Sequence, residues 1–223
     1  MTQAEIDGLR QFIRPGSFAI DVGAHCGDTT VPMALAAGPA GLVLALEPNP
    51  YVFEVLRQNA ALNRERTRIA PFCFAATEAD GTFVFQYGDA SFCNGGLPVR
   101  RRWNPWRKKH PLTVTGRNLL RVLQEDYASW IPRLSYVKVD AEGSDRAILA
   151  SILPVLRQVR PVIRTEVFRR LPTGERLALF ELLAGNGYEL FRFEGGQAPQ
   201  GRPIGRRQMT AEKHFDVLAL PRG

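Results

Sequence analysis

The stretch FAIDVGAHCGDTT, residues 18–30, puts an acid, Asp21, just before a loop with glycines at positions 23 and 27. Glycine lets a backbone turn tightly and approach a ligand closely, and a helix starting after Asp28 would turn its free N–H groups toward that ligand. A strand, a glycine loop and a helix N-terminus together make a nucleotide-type site, although a purely structural turn uses the same residues. A second acid, Glu47, closes the apolar run LVLALE, 20 residues after Gly27. There a carboxylate can accept hydrogen bonds from both hydroxyls of an adenosine ribose. The loop Gly23, Ala24, His25, Cys26, Gly27 lacks the middle glycine of the G-x-G-x-x-G dinucleotide fingerprint, so a pyrophosphate fits it poorly. Asp21 instead suits a positively charged group such as an amino acid ammonium, and a cationic adenosyl ligand satisfies both acids.

Acids recur where two later strands would end. VKVDAEGSD places Asp140 after an apolar run and Glu142 two residues on, before Ser144 caps the next helix, and PVIRTEV carries Glu166. Three carboxylates at one cleft edge can remove a proton from a weak nucleophile or orient it. The same residues can also serve structure alone, by capping helices or pairing with Lys138, Arg146 or Arg164.

These residues need a frame that gathers strand ends. The strand-like runs SFAIDV, LVLALE, RIAPFCFA, SYVKVD and PVIRTEV alternate with helical stretches over 28–37, 50–63, from 144 and over 174–185, and YELFRF and HFDVLAL close the chain. Strands apolar on both faces with helices between them predict an α/β fold, an open and mostly parallel seven-stranded sheet with helices on both faces. Asp28 and Thr173 are the expected caps of the first and last of these helices. Asn49 caps the second, with Pro50 at its first position. Pro154 is expected to break the helix that starts at 144, and Gly185 or Gly187 to end the last. GTFVFQY alternates as an extra strand. Residues 88–114 are the least regular part and read as an insertion near the carboxyl ends of the strands.

A chain of 223 residues suits one domain. No apolar run approaches the roughly 20 residues that span a bilayer, and MTQAEIDGLRQF lacks the pattern of a secretory signal, so a cytoplasmic protein is expected. Cys26, Cys73 and Cys93 are odd in number and widely spaced, which fits free thiols and neither a disulfide framework nor a zinc site. The net charge is +7, from 29 Lys and Arg against 22 Asp and Glu. Residues 100–110, RRRWNPWRKKH, hold six of those cations, and without them the balance is 23 against 22. Arg100, Arg101, Arg102, Trp103, Trp106, Lys108 and His110 are therefore the candidate substrate-binding residues of that loop. Its cations favour phosphate, carboxylate or sulfate, and its tryptophans stack on sugar rings or bases. An anionic glycan or nucleotide-linked sugar fits such a loop, as does no ligand at all. Aromatics interleaved with cations also suit a nucleic-acid-binding protein or a nucleic-acid methyltransferase that uses this loop, but confinement of the charge to one loop argues against that partner.

Taken in order, DVGAHCGDTT, ALEPNP, the Asn63 region, FAATEADGT, VKVDAEGSDRAIL and PVIRTEV resemble the FkbM-type S-adenosylmethionine-dependent methyltransferases over roughly residues 8–192. The resemblance implies the Rossmann-like class I methyltransferase fold, with sheet order 3-2-1-4-5-7-6 and an antiparallel last strand. It implies S-adenosylmethionine as cofactor, S-adenosylhomocysteine as product, and methylation of a hydroxyl oxygen on a sugar, glycan or natural product. Asp21, Gly23, Ala24 and Gly27 would then surround the methionine part, with His25 and Asp28 beside them. Glu47 would hold the ribose, Pro48 and Asn49 would border it, and Ala75 and Ala76 would lie beside the adenine. His25 stands where the family commonly has Asn, and the basic insertion is not a usual family element. Methyl transfer from a sulfonium needs the acceptor oxygen in line and its proton removed, for which Asp140 or Glu142 is the expected base, Glu166 the orienting group and His110 an outside candidate. A divalent metal held by these acids is compatible with the chemistry, but no ligand spacing demands one. An NAD-linked oxidoreductase is disfavoured by the glycine spacing and by the lack of a Tyr-x-x-x-Lys pair.

Overall fold

The computed structural model describes residues 2–87, 95–96 and 110–223. Its first half runs α1 (Gln3–Leu9), β1 (Phe18–Val22), α2 (Thr30–Ala37), β2 (Leu42–Leu46), α3 (Pro50–Ala61), β3 (Ile69–Phe72), β4 (Ala75–Thr77), β5 (Gly81–Tyr87), β6 (Gly95–Gly96) and β7 (His110–Asn118). Its second half runs α4 (Leu119–Asp126), β8 (Leu134–Val139), α5 (Asp145–Ser151), α6 (Leu153–Val159), β9 (Val162–Val167), α7 (Thr173–Ala184), β10 (Tyr188–Phe193), β11 (Gln200–Pro203), α8 (Gln208–Ala211) and β12 (Phe215–Pro221).

Alternation within buried strands explains the layering. Along β1, Phe18, Ile20 and Val22 join a core with Leu123 of α4, Leu149 of α5, Leu156 of α6 and Leu179 of α7. Ala19 points the other way, into a smaller core with Met33 and Ala34 of α2. Every residue of β1 and β2 is buried, as a central parallel strand covered by helices on both faces requires. The main sheet has the order β11-β10-β12-β9-β8-β1-β2-β3. Apart from the outermost strand this is the expected 3-2-1-4-5-7-6, and β12 pairs antiparallel with both β9 and β10. The eighth strand is an addition to the seven expected: Gln200–Pro203 folds back antiparallel on β10. QGRP shows neither period-2 alternation nor β-branched residues, so only tertiary pairing makes it a strand.

Local chemistry sets several element ends. The Asn49 side chain accepts from the Tyr51 N–H at 3.0 Å, and Pro50 opens α3. Pro154 separates α5 from α6, and Gly185 caps α7. Two expected caps are corrected: Thr29, not Asp28, precedes α2, and Pro172 precedes α7 with Thr173 inside it. RIAPFCFA is two strands rather than one. β3 stays in the main sheet, whereas β4 pairs parallel with β7 in a second sheet of order β4-β7-β5-β6. GTFVFQY is β5, antiparallel to β7. The end of the expected 88–114 insertion, from His110 on, is therefore strand; 88–94 and 97–109 lie outside the described residues. Among the described residues no helix is long and apolar enough to cross a membrane.

Candidate active site

A cavity of about 740 Å³ opens where β1, β2, β8 and β9 end. Its volume is that of a small-molecule or cofactor site. One wall is apolar, built by Phe74, Ala75, Ala76, Phe85 and Tyr87, so the second sheet supplies part of it. The opposite end carries Asp140, Glu142, Glu166 and His214. Gly23, His25, Asp28, Glu47 and Pro48 lie between the two.

Glu47 is almost fully buried and organises the middle of the cavity. Its Oε2 accepts from the His25 N–H at 2.9 Å and its Oε1 from the Asn49 N–H at 2.8 Å. Burial pushes this carboxyl up against the pull of those two N–H groups. Each oxygen keeps lone-pair capacity for one further donor, which matches a pair of ribose hydroxyls. His25 reaches Glu47 because its backbone is left-handed, with φ 50°. Asn and His are among the residues that tolerate this conformation best, so His25 makes the turn that an Asn would make here.

The glycines act through packing. At Gly23, φ is 75° and an added Cβ would lie 2.0 Å from the Asp140 carbonyl oxygen, so only glycine lets the loop cross the end of β8. At Gly27, φ is 94° and a Cβ would press on Leu56 at 3.1 Å. Gly27, Ala24, Asn49 and Asp21 lie behind the cavity wall rather than in it. Asp21 is fully buried, accepting from the Thr29 and Thr30 hydroxyls at 2.8 and 2.7 Å and pairing with Lys138 Nζ at 3.1 Å. The positive partner expected of this acid is thus a side chain of the protein itself. Lys138 Nζ also lies 3.6 Å from Asp140 and donates to the Gly23 carbonyl at 3.1 Å. Burial pulls its ammonium down, but Asp21 and Asp140 outweigh that and hold it above its ordinary value. Lys138 therefore fastens the glycine loop to β8.

Asp145, which sequence reasoning missed as a site residue, fixes the acidic end. Its Oδ2 accepts from the N–H groups of Ala141 and Gly143, each at 3.3 Å, and its Oδ1 from the Thr165 hydroxyl at 3.1 Å and the Glu166 N–H at 3.2 Å. It thus ties the loop bearing Asp140 and Glu142 to the strand bearing Glu166. Ser144 precedes α5 as expected, but its side chain makes no cap bond. Burial and the neighbouring Asp140 push Asp145 up to about 7. Glu142, on a left-handed backbone of φ 50°, is raised by burial and Asp140 and drawn back by Arg169 and Arg170. Glu166 is affected most: burial first, then Asp140, Asp145, Glu142 and Asp216, push it up to about 9. Its Oε2 is buried without a hydrogen-bond partner, and its Oε1 lies 3.4 Å from His214 Nδ1. His214 carries no local motif, and only the register of β12 on β9, Phe215 opposite Val167, could have placed it here.

The three carboxylates expected at one cleft edge are brought together, and Ala75, Ala76 and Pro48 line the cavity as expected. The acids named as possible holders of a metal, Asp140, Glu142 and Glu166, are not gathered within 4.8 Å of one another; among the described residues His25, Cys26 and Asp28, for which no metal was expected, are. Arg100, Arg101, Arg102, Trp103, Trp106 and Lys108 lie outside the described residues, as does Cys93. His110 opens β7 opposite Tyr87 and is not among the described residues of the cavity wall.

The cavity fits an adenosyl cofactor on its own residues: an apolar wall for a base, a buried carboxylate for a ribose, and acids where a cationic centre would lie. Comparison with known proteins agrees. The Methyltransferase FkbM domain family model matches residues 21–190. The chain is 25% identical over 203 residues to the methyltransferase sdnD of Sordaria araneosa, covering 82% of this chain and 77% of that one. It is 30% identical over 176 residues to the 31-O-demethyl-FK506 methyltransferase FkbM of Streptomyces tacrolimicus, covering 66% of this chain and 65% of that longer relative. Among solved structures, a methyltransferase FkbM from Methylobacillus flagellatus superposes with a TM-score of 0.55 at 14% identity, over 96% of this chain and 50% of that one. A cofactor-bound protein from MTB, Rv0187, gives 0.51 at 17% identity over 100% and 81%. These two likenesses concern the fold, whereas the family match spans the glycine loop, Glu47 and the acidic end together, and the chain belongs to the FkbM family of S-adenosylmethionine-dependent methyltransferases.

Proposed function

We propose that this methyltransferase acts on a hydroxyl oxygen of a small sugar-like, glycan or natural-product acceptor. The observation that carries the reading is the acidic end of the cavity, where Asp140, Glu142 and Glu166 converge beyond Glu47. Glu47 would hold the ribose, the wall of Ala75, Ala76 and Phe85 the adenine, and the loop from Gly23 to Asp28 the methionine part. When bound, the cofactor supplies an electrophilic methyl group on a cationic sulfur. A hydroxyl is a poor nucleophile until its proton leaves, so the protein's tasks are to aim the acceptor oxygen, exclude water and receive the proton. Asp140 and Glu142 hold and polarise the hydroxyl, and Glu166 orients it. The cations of residues 100–110 suit an acceptor that carries phosphate, carboxylate or sulfate.

The test is incubation with methyl-labelled S-adenosylmethionine and a panel of sugars, nucleotide sugars and 31-O-demethyl-FK506, with NMR identification of the labelled product. An O-methyl product that disappears in Asp140→Asn and Glu142→Gln supports the reading. Label on nitrogen or carbon, or undiminished turnover in both variants, contradicts it.

A further inference from the structure

We infer that His214 is the base that receives the acceptor's proton and that Glu166 positions its ring through Nδ1; this rests on the hydroxyl reading above. His214 and Glu166 both line the cavity, on adjacent antiparallel segments. His214 Nδ1 lies 3.4 Å from Glu166 Oε1, a distance that a small rotation of the half-exposed ring turns into a hydrogen bond, and such contacts tighten when substrate binds. With Nδ1 engaged, Nε2 is the nitrogen left for the acceptor.

Asp145, Asp140 and Glu166 are less suited to take the proton, and the rate of His214→Ala decides between His214 and Glu142. Asp145 already accepts from four donors. Asp140 shares Lys138 with Asp21. Glu166 is buried among Asp140, Glu142, Asp145 and Asp216, so at neutral pH it retains a proton and serves as a hydrogen-bonding partner rather than a base. Lys138, Arg164, which pairs with Asp216 at 2.6 Å, and Arg169 are cations that line the cavity together with His214.

The charge balance favours the step. The acceptor O–H bond breaks toward Nε2, which gains the proton. The electron pair left on oxygen forms the new O–CH₃ bond, and the pair of the former methyl–sulfur bond stays on sulfur. One positive charge is lost at sulfur and one appears on the imidazole, so the acids face the same net charge before and after. His214 is half-exposed, so the imidazolium can return its proton to solvent for the next turnover.

Three measurements on the full chain test the inference: S-adenosylhomocysteine calorimetry, methyl transfer to the acceptor found in the panel, and ring ¹⁵N spectra of the three histidines. His214→Ala should leave S-adenosylhomocysteine binding unchanged while lowering kcat roughly 10²- to 10⁴-fold, and added imidazole should restore part of the rate. Glu166→Ala, which removes the acceptor that a neutral Gln would keep, should shift the His214 ring resonances, identified by their loss in His214→Ala. Wild-type-like kcat in His214→Ala, a loss that imidazole does not rescue, or unmoved resonances in Glu166→Ala would each overturn the inference while leaving O-methylation intact. A wild-type product methylated at nitrogen or carbon would overturn the hydroxyl reading and this one with it.

Discussion

Glu47 accepts two backbone N–H groups and keeps two lone-pair positions for a ligand, so it joins loop geometry to affinity. A hydrogen bond to a charged group is worth about 1.5–3 kcal/mol, so loss of even one of the two in Glu47→Ala is expected to weaken S-adenosylhomocysteine binding by roughly 10- to 150-fold in calorimetry, and loss of both by more. The place of this acid at a strand end in the cavity was legible in the sequence because it closes an apolar run; its hold on His25 was not, since that depends on a left-handed backbone. Lys138 shows the opposite. It could be named as an ion-pair partner, but its span from Asp21 to Asp140 appears only when β1 and β8 lie side by side. Lys138→Met leaves Asp21 buried with only hydroxyl partners and should cost about 3–5 kcal/mol in denaturant unfolding, the range for breaking a buried pair. Glu166 gives a pH signature. Its carboxyl titrates near 4.5 in an unfolded chain and about 9 when folded, so the folded state binds the extra proton between those values. Stability from this group is present below about pH 4.5 and is lost as pH rises through 9. Thermal melts of wild type and Glu166→Gln should show the wild type losing ground to the variant from about pH 5 toward about pH 9; a constant difference would contradict the buried, protonated state.

At the scale of elements, the loop after β1 depends on a close backbone crossing. Gly23→Ala would drive a Cβ to within 2.0 Å of the Asp140 carbonyl, whereas a Cβ added at Gly16, where φ is 85°, would meet nothing within 4 Å. Gly16→Ala should cost about 1–2 kcal/mol from its left-handed backbone alone, and Gly23→Ala distinctly more, with loss of cofactor binding. Equal melting temperatures would contradict the crossing. Helix ends were readable where one residue decided them: Asn49 and Pro50 start α3 and Pro154 splits α5 from α6. They were misread at Asp28 and Thr173, where a neighbouring residue, Thr29 or Pro172, takes the cap position and neither makes a side-chain cap bond. RIAPFCFA offers one apolar run to a reader of sequence, yet Phe72 ends in one sheet and Ala75 begins in another because β7 returns to pair with β4.

For the molecule as a whole, alternation of strands and helices revealed the α/β architecture, and the strand order followed from what the resemblance to the family implied. What they could not reveal were contacts between distant segments: the hairpin of β11 on β10, the second sheet that walls the cavity, and the approach of His214 to Glu166. These depend on pairing register between segments apart in the chain and leave no local pattern. Charge was legible as a concentration in one segment, and it carries its own expectation. Neutralising Arg100, Arg101, Arg102, Lys108 and Lys109 together should raise the KM of an anionic acceptor without weakening S-adenosylhomocysteine binding; an unchanged KM would remove that segment from acceptor recognition. On this reading the cavity joining Glu47 to the acidic end is an adenosyl-sulfonium site. Calorimetric titration of the purified protein with S-adenosylhomocysteine, with NAD as the control, tests it. Micromolar binding of S-adenosylhomocysteine and none of NAD is the expected result, whereas binding of NAD, or of neither, would contradict it.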